Sequence, residues 1–395
     1  MSWKETCAMD ERTKFIDMLL TSGRTMTEVC KIFNVSRKTG HKWRNRFLVE
    51  GSSGLKDRSR AALSHPNETD VRVKELLLSA RRHHPTWGAR KLLAYLSPRH
   101  VAVEFPAAST AHDLFHRHGL VKSRRRNRRT PAYDHPFIDC AEPNAVWSAD
   151  FKGQFKVGDG AVCYPLTVTD NFSRYIICCR GLDSVKGERT IPWFKRAFGE
   201  YGLPLAIRTD NGAPFASSGL GGLSRLSVWW IKLGIYPERI EPGRPAQNGC
   251  HERMHRTLKA QTARPSSSSM RSQQKSFDNF QSEFNNERPH EALGQNTPSS
   301  VYKSSTRPYP KKTPEVEYPA GFVVRMVRHG GEIKWRGKFV YVSQMLAGEP
   351  VGLYQVDNDR WTVYFGMVKL GEMDMKTGRI ERPASHIRKK NTKRT

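Results

Sequence analysis

The sequence predicts a multidomain protein with two all-α units in front, an α/β unit in the middle and a small all-β barrel near the end. Three observations lead there. Apolar residues recur at helical spacing as far as about residue 120, then give way to β-rich runs followed by helices, and finally to short strands between glycine turns. Gly51-Ser52-Ser53-Gly54 and a basic run break the chain between these textures. A length of 395 residues leaves room for roughly two to four domains. On these grounds the chain divides into 1–60, 61–130, 131–310 and 316–380, with a basic tail over 381–395.

The first unit reads as a helix-turn-helix. Phe15, Ile16, Leu19 and Leu20 mark one helix, and Val29, Ile32 and Phe33 mark a second that Thr25 or Thr27 can cap. Asn34-Val35-Ser36 is a short turn, with Ser36 placed to cap a third helix. On that helix Trp43 and Phe47 face the core, while Arg37, Lys38, His41, Lys42, Arg44 and Asn45 occupy the other sides. A basic helix after a tight turn suits insertion into a major groove.

The second unit repeats the pattern more loosely. Val71, Leu76, Leu77 and Leu78 supply one helix, Ala89, Leu92, Leu93 and Leu96 the next, and Ser109 caps a third that stops at Gly119. Lys122, Arg124, Arg125, Arg126, Arg128 and Arg129 then make six of eight residues basic, either a phosphate-tracking segment or a linker.

Charge points to the partner. Lys and Arg number 66 against 38 Asp and Glu, a formal net charge of +28. So basic a chain seeks a polyanion, because neutralising phosphates releases condensed counterions. Cysteines stand at 7, 30, 140, 163, 178, 179 and 250 with no zinc-type spacing; their odd number and the adjacent Cys178-Cys179 argue against a disulfide framework. A reducing, cytoplasmic setting is expected, with neither a signal peptide nor an apolar run of the roughly 18 residues a membrane span needs.

The middle unit carries the chemistry. Ala145 to Gly153 reads as a strand with one carboxylate, Asp150; strands over 162–169 and 175–179 follow. Asp170, before Asn171-Phe172-Ser173, reads as a structural turn acid. A helix covers 191–201, and Leu205 to Thr209 is a short strand ending in Asp210-Asn211-Gly212. After a Gly/Pro-rich loop, a helix begins near Asn248. Glu252, His255, Arg256 and Lys259 are expected on one face of it, Met254 and Leu258 on the opposite face. His251 and His255 read as DNA contacts or spectators rather than metal ligands. Glu241, the rival acid to Glu252, lacks basic partners at helical spacing.

Three motifs together resemble bacterial insertion-sequence transposases of the Asp-Asp-Glu group, which carry a retroviral-integrase-type core. They are Trp147-x-x-Asp150-Phe151, Thr209-Asp210-Asn211-Gly212 and Arg244-Pro245-x-x-Asn248-Gly249-x-x-Glu252-Arg253-x-x-x-Thr257-Leu258-Lys259. Asn286 to Leu293 is similar to the segment that closes such cores. The resemblance covers roughly residues 10–305. It implies an RNase H-like fold with a mixed five-stranded sheet, and it implies Asp150, Asp210 and Glu252 as catalytic and metal-binding residues. The 42 positions from Asp210 to Glu252 exceed the common family spacing, and the extra length is placed in Ala216 to Leu223, flexible by composition.

The expected activity is cleavage and strand transfer of DNA, with two Mg²⁺ (or Mn²⁺) ions held by the three carboxylates. The expected partners are double-stranded DNA, as terminal inverted repeats and target, and further copies of the chain. Arg256 and Lys259 would meet phosphate. A DNA-binding regulator or a nuclease without joining activity is the alternative. In the C-terminal unit, an SH3-like barrel is expected, with Trp335, Arg336 and Lys338 as a DNA-facing patch or Trp335 as a core residue.

Overall fold

The computed structural model describes residues 7–59, 68–121, 138–151, 153–217, 219–241, 249–357, 359–374 and 379–381. The chain divides into two compact units, Met1–Thr69 and Asp70–Thr395. No helix among the described residues is long and apolar enough to cross a membrane.

The first unit is three helices: α1 (Ala8–Thr21), α2 (Met26–Ile32) and α3 (Arg37–Glu50). Thr25 caps α2 in a reciprocal box with Glu28, and Ser36 caps α3 by accepting from the Thr39 amide. Phe15, Ile16, Val29, Cys30, Trp43 and Leu55 form the core. Gly40 lets α3 approach closely: a Cβ there would lie 2.5 Å from Cys30 Sγ. Two expected core residues are exposed, Leu20 at 58% and Ile32 at 51%. The buried stripe of so small a bundle is narrow, and both residues fall on its margin.

In the second unit, α4 (Val71–His83), α5 (Ala89–Leu96) and α6 (Ala108–Arg117) pack around Leu77, Trp87, Leu92, Leu96 and Phe115. Ser109 lies inside α6 rather than at its cap; Ala107 takes that position without a side-chain bond.

A mixed sheet follows. Its strands are β1 (Val146–Phe151), β2 (Phe155–Lys156), β3 (Val162–Asp170), β4 (Ile176–Leu182), β5 (Ala206–Thr209) and β6 (Tyr236–Arg239). β4, β3 and β1 are antiparallel neighbours; β1, β5 and β6 are parallel. The two-residue β2 pairs with β3 and makes a sixth strand beyond the five expected. Helices α7 (Gly187–Tyr201) and α8 (Arg225–Lys232) cover one face through Trp147, Ala149, Leu166, Val168, Phe194, Phe198 and Trp230. On the other face lie α9 (Gly249–Thr262) and α10 (Met270–Asn286), packed through Ile176, Cys179, Met254, Leu258, Phe277, Phe280 and Phe284.

The C-terminal strands are β7 (Val323–Met326), β8 (Glu332–Trp335), β9 (Lys338–Tyr341), β10 (Pro350–Asp357), β11 (Arg360–Phe365), β12 (Val368–Asp374) and β13 (Arg379–Glu381). The expected closed barrel is not what they form. The described strands pair as an open five-stranded sheet, β13-β12-β11-β10-β7, with β8-β9 as a separate hairpin. An open sheet needs a cover for its apolar face, and α8 contributes to one: Val228 and Ile231 share a core with Val351, Val363, Phe365 and Leu370. The described residues Ala216, Ser217 and Gly219 to Leu223 are likewise packed, against the flexibility expected from composition. Ser217 donates to the Leu223 carbonyl at 2.5 Å, Arg239 to the Gly221 carbonyl at 3.0 Å, and Leu370 sits against Gly221.

The end of α10 and the residue that follows it are a seat for the second helical unit. His84 Nδ1 stands 3.4 Å from Glu283, and the Tyr95 hydroxyl donates to Glu287 at 3.5 Å. Burial, with the Lys91 and Arg288 charges nearby, pushes the His290 pKa down to about 3. Above its ordinary value of 6.5 the ring is neutral in both folded and unfolded chains. As pH falls from there towards 3, the unfolded chain takes up a proton that the folded chain refuses, so stability is lost on acidification. We predict that His290→Gln flattens the fall of the urea midpoint between about pH 6.5 and pH 4; an unchanged slope would remove His290 from the acid response.

Candidate active site

Strand register places the first two carboxylates. Val146, Trp147 and Ser148 of β1 pair in parallel with Ala206, Ile207 and Arg208 of β5. Two residues beyond the last pair stand Asp150 and Asp210, at the same ends of adjacent strands. Side chains alternate along a strand, so with Trp147 and Ala149 in the α7/α8 core, Ser148 and Asp150 face the α9 side. Asp150 and Asp210 are half-buried.

Asp210 is fixed by its turn. Its Oδ1 accepts from the Gly212 amide at 3.0 Å, while the Asn211 side-chain amide donates to the Ile240 carbonyl at 2.7 Å and ties the turn to the exit of β6. Beneath it, Arg208 Nε donates to Glu238 Oε2 at 2.6 Å, a nearly buried pair across adjacent strands.

Glu252 is exposed in the first turn of α9, and Arg256 and Lys259 are exposed on the same helix. His255 is not with them. His251 and His255 are buried, at 1% and 0%, on the inward stripe with Met254 and Leu258. Burial overturns their reading as DNA contacts. Their ring nitrogens meet the hydroxyls of Thr167 and Thr169, and His255 Nδ1 lies 3.6 Å from Asp150 Oδ2. Asp150, His251 and His255 each offer a ligand atom within 4.8 Å of the others. The two threonines were missed in the sequence. The signal for the histidines was present: positions 251, 254, 255, 258 and 262 follow the spacing of one buried helical stripe.

Asp170, the rival acid, is fully buried. Its carboxylate accepts from the Asn144 amide at 2.8 Å and from the Ser173 amide and hydroxyl at 2.8 and 2.6 Å. Burial raises its pKa against these bonds. One oxygen is committed to the turn and the other to the Asn144 amide, so its role is structural.

On α3, Arg37, Lys38, His41, Lys42, Arg44 and Asn45 are all exposed. Lys122, Arg124, Arg125, Arg126, Arg128 and Arg129 lie outside the described residues, as does the 242–248 loop before α9. In the C-terminal unit, Trp335 is a core residue packed edge-on against Trp361 at 4.8 Å. The aromatics exposed on that hairpin are Phe339 and Tyr341, with Lys334, Arg336 and Lys338 exposed beside them.

Comparison with known proteins agrees with the motifs. An integrase core domain family matches residues 141–245, and a second integrase core domain family matches 233–298. A helix-turn-helix domain matches 11–62 and a homeodomain-like domain 39–115. The C-terminal domain of IS481 family transposases matches 322–381. An uncharacterised 39.2 kDa protein of insertion element IS476 from Xanthomonas euvesicatoria is 28% identical over 196 residues, 48% of this chain and 53% of that protein. The chain thus spans about half the length of that relative. An uncharacterised 31.7 kDa protein of insertion element IS407 from Burkholderia multivorans is 27% identical over 60% of this chain and 81% of its own length. Among solved structures, the HTLV-2 integrase catalytic core in complex with magnesium aligns at 18% identity and a TM-score of 0.33, covering 41% of this chain and 99% of that one. The chain is similar to bacterial insertion-sequence transposases with an integrase-type core, and it carries helix-turn-helix domains ahead of that core.

Proposed function

We propose that this chain, similar as it is to insertion-sequence transposases, binds the terminal repeats of its element and catalyses metal-dependent cleavage and strand transfer of DNA. Asp150, Asp210 and Glu252 would hold the metal. The observation that supports the reading is the parallel β1–β5 register, whose last pair, Ser148 with Arg208, stands two residues before Asp150 and Asp210 alike. Glu252, in the first turn of α9, brings a third carboxylate from a separate element.

The donor set fits hard divalent ions such as Mg²⁺, which take oxygen ligands and keep several waters. Two ions, when bound, would activate the attacking oxygen and stabilise the leaving one. The chain's own residues do the rest. The three carboxylates would come from separate elements: Asp150 from β1, Asp210 from the turn after β5 and Glu252 from α9. The exposed Arg256 and Lys259, one and two helical turns beyond Glu252, supply positive charge where a phosphate backbone would run. Set deeper in the site, Asp210 is held by its own turn and by the Asn211 tether.

We predict that Asp150→Asn, Asp210→Asn and Glu252→Gln each lower Mg²⁺-dependent cleavage by on the order of 10³-fold or more while leaving binding to end DNA unchanged. Cleavage by Glu252→Gln at the unmodified rate would end the triad assignment.

Recognition is proposed to lie in α3, with the 122–129 run supplying phosphate contacts. Replacing Arg124, Arg125 and Arg126 together by Ala should weaken binding to all DNA and reduce the salt slope by about 2–3. Replacing Arg37 or Asn45 should instead reduce discrimination between end and random DNA by about 1–3 kcal/mol. Equal losses on both DNAs for the α3 variants would contradict this division.

A mobile element has two ends and this chain one triad, so joining both ends in concert needs at least two copies, with a symmetric assembly the simplest solution. Because +28 charges oppose association, assembly should depend on end DNA. Mixing Glu252→Gln protein with an α3 variant that keeps its triad should restore cleavage. Full joining of paired ends by a complex that sizes as one chain would defeat the oligomer proposal.

A further inference from the structure

We propose that Thr167, His251 and His255 are positioning residues that set where Glu252 stands over Asp150. The proposal rests on the triad reading above and deepens it. Helix α9 needs such a device. Its apolar anchors, Met254 and Leu258, lie downstream of Glu252 and pack against Phe277, Phe280 and Phe284. Apolar contact is not directional, so it leaves the rotation of the first turn loosely set. Upstream of Glu252, α9 holds only Gly249, Cys250 and His251, and of these His251 alone is buried.

His251 spans two threonines of β3. Its Nε2 is 2.8 Å from Thr167 Oγ1 and its Nδ1 2.8 Å from Thr169 Oγ1. Thr167 and Thr169 are two residues apart and so point to the same face. One turn on, His255 brings Nε2 to 2.5 Å from the same Thr167 hydroxyl. The two imidazoles meet edge to face, 4.4 Å between centroids. Thr167 is also the residue directly opposite Asp150 in the β1–β3 ladder, and its hydroxyl donates to the Asp150 carbonyl at 3.2 Å. One hydroxyl therefore touches the backbone of the first carboxylate residue and both histidines that flank the third.

Proton counting fixes the direction of these bonds. Thr167 has one proton, given to the Asp150 carbonyl, so each Nε2 must donate to Thr167 Oγ1. His251 Nδ1 then accepts from the Thr169 hydroxyl. Both ring nitrogens of His251 are thereby engaged, and the geometry is directional. Two buried imidazoles are a costly way to fill space that Leu or Met would fill as well, since a buried polar group must find a partner. What the polar set adds is a fixed rotation and height for the first turn of α9.

The test uses full-length protein, with Mn²⁺ itself as the probe, titrated calorimetrically in the presence of end DNA. Thr167→Val keeps the shape and removes the hydroxyl; Thr167→Ser keeps the hydroxyl. We expect Thr167→Val to bind end DNA normally, to weaken Mn²⁺ about tenfold, and to lower kcat by about 10–100-fold with KM for DNA unchanged. Thr167→Ser should restore both. Unchanged Mn²⁺ affinity and kcat in a folded Thr167→Val protein would overturn the proposal. Should Thr167→Val fail to fold, His251→Phe and His251→Gln decide: loss of Mn²⁺ affinity in Phe with recovery in Gln supports positioning, and equal affinity in the two refutes it. Asp150→Asn in the same titration separates the two readings. If it binds Mn²⁺ as the unmodified chain does, the triad reading fails; if it loses Mn²⁺ while Thr167→Val does not, only the positioning fails.

Discussion

Strand β1 has a different kind of neighbour on each edge, and the candidate site depends on that. Its antiparallel partner β3 puts Thr167 opposite Asp150; its parallel partner β5 puts Asp210 level with Asp150. An antiparallel pair alone would hold the threonine under the carboxylate but bring no second acid. A parallel pair alone would bring the acid but give α9 nothing polar to rest on. Because side chains alternate with a strict period of two, a slip of one residue in either ladder would turn Asp150 into the α7/α8 core. Trp147 and Ala149 resist that slip of β1, since both would leave the core they share with Leu166 and Val168. Packing on one face thus fixes chemistry on the other.

The same logic extends outward from the sheet. Helix α8 covers the core on one side and gives Val228 and Ile231 to the C-terminal sheet on the other, so that sheet stays open without exposing its apolar face. Part of the long interval between Asp210 and Glu252 lies at this junction: Ser217 bonds to Leu223, Arg239 to Gly221, and Gly221 packs against Leu370. Asp70–Thr395 accordingly forms one compact unit rather than three independent ones.

Much of this was legible in the sequence where local signals agree with packing. Ser36 and Thr25 cap the helices that their side chains predict, and the alternation in β1 and β3 gives the sheet its faces. The Asp170 turn follows from Asp-Asn-Phe-Ser. What was not legible needed three-dimensional neighbours. Leu20 and Ile32 fit helical spacing yet lie beyond the edge of a small core. His251 and His255 lie on the stripe of Met254 and Leu258, but polarity made them look outward until the partners on β3 were placed. Barrel closure depends on which strands pair, and strand composition does not state that. Glycine-rich composition around Gly219 to Gly222 suggested freedom where the glycines instead permit close approach, as at Gly221, where a Cβ would lie 2.8 Å from Leu370.

The central claim is that Asp150, Asp210 and Glu252 form one divalent-metal site. Anomalous diffraction from crystals of the protein with end DNA and Mn²⁺ tests it most directly. Two Mn²⁺ peaks about 3.5–4 Å apart are expected, held by Asp150, Asp210 and Glu252. Mn²⁺ bound elsewhere in the unit, with none at Asp150, would contradict it.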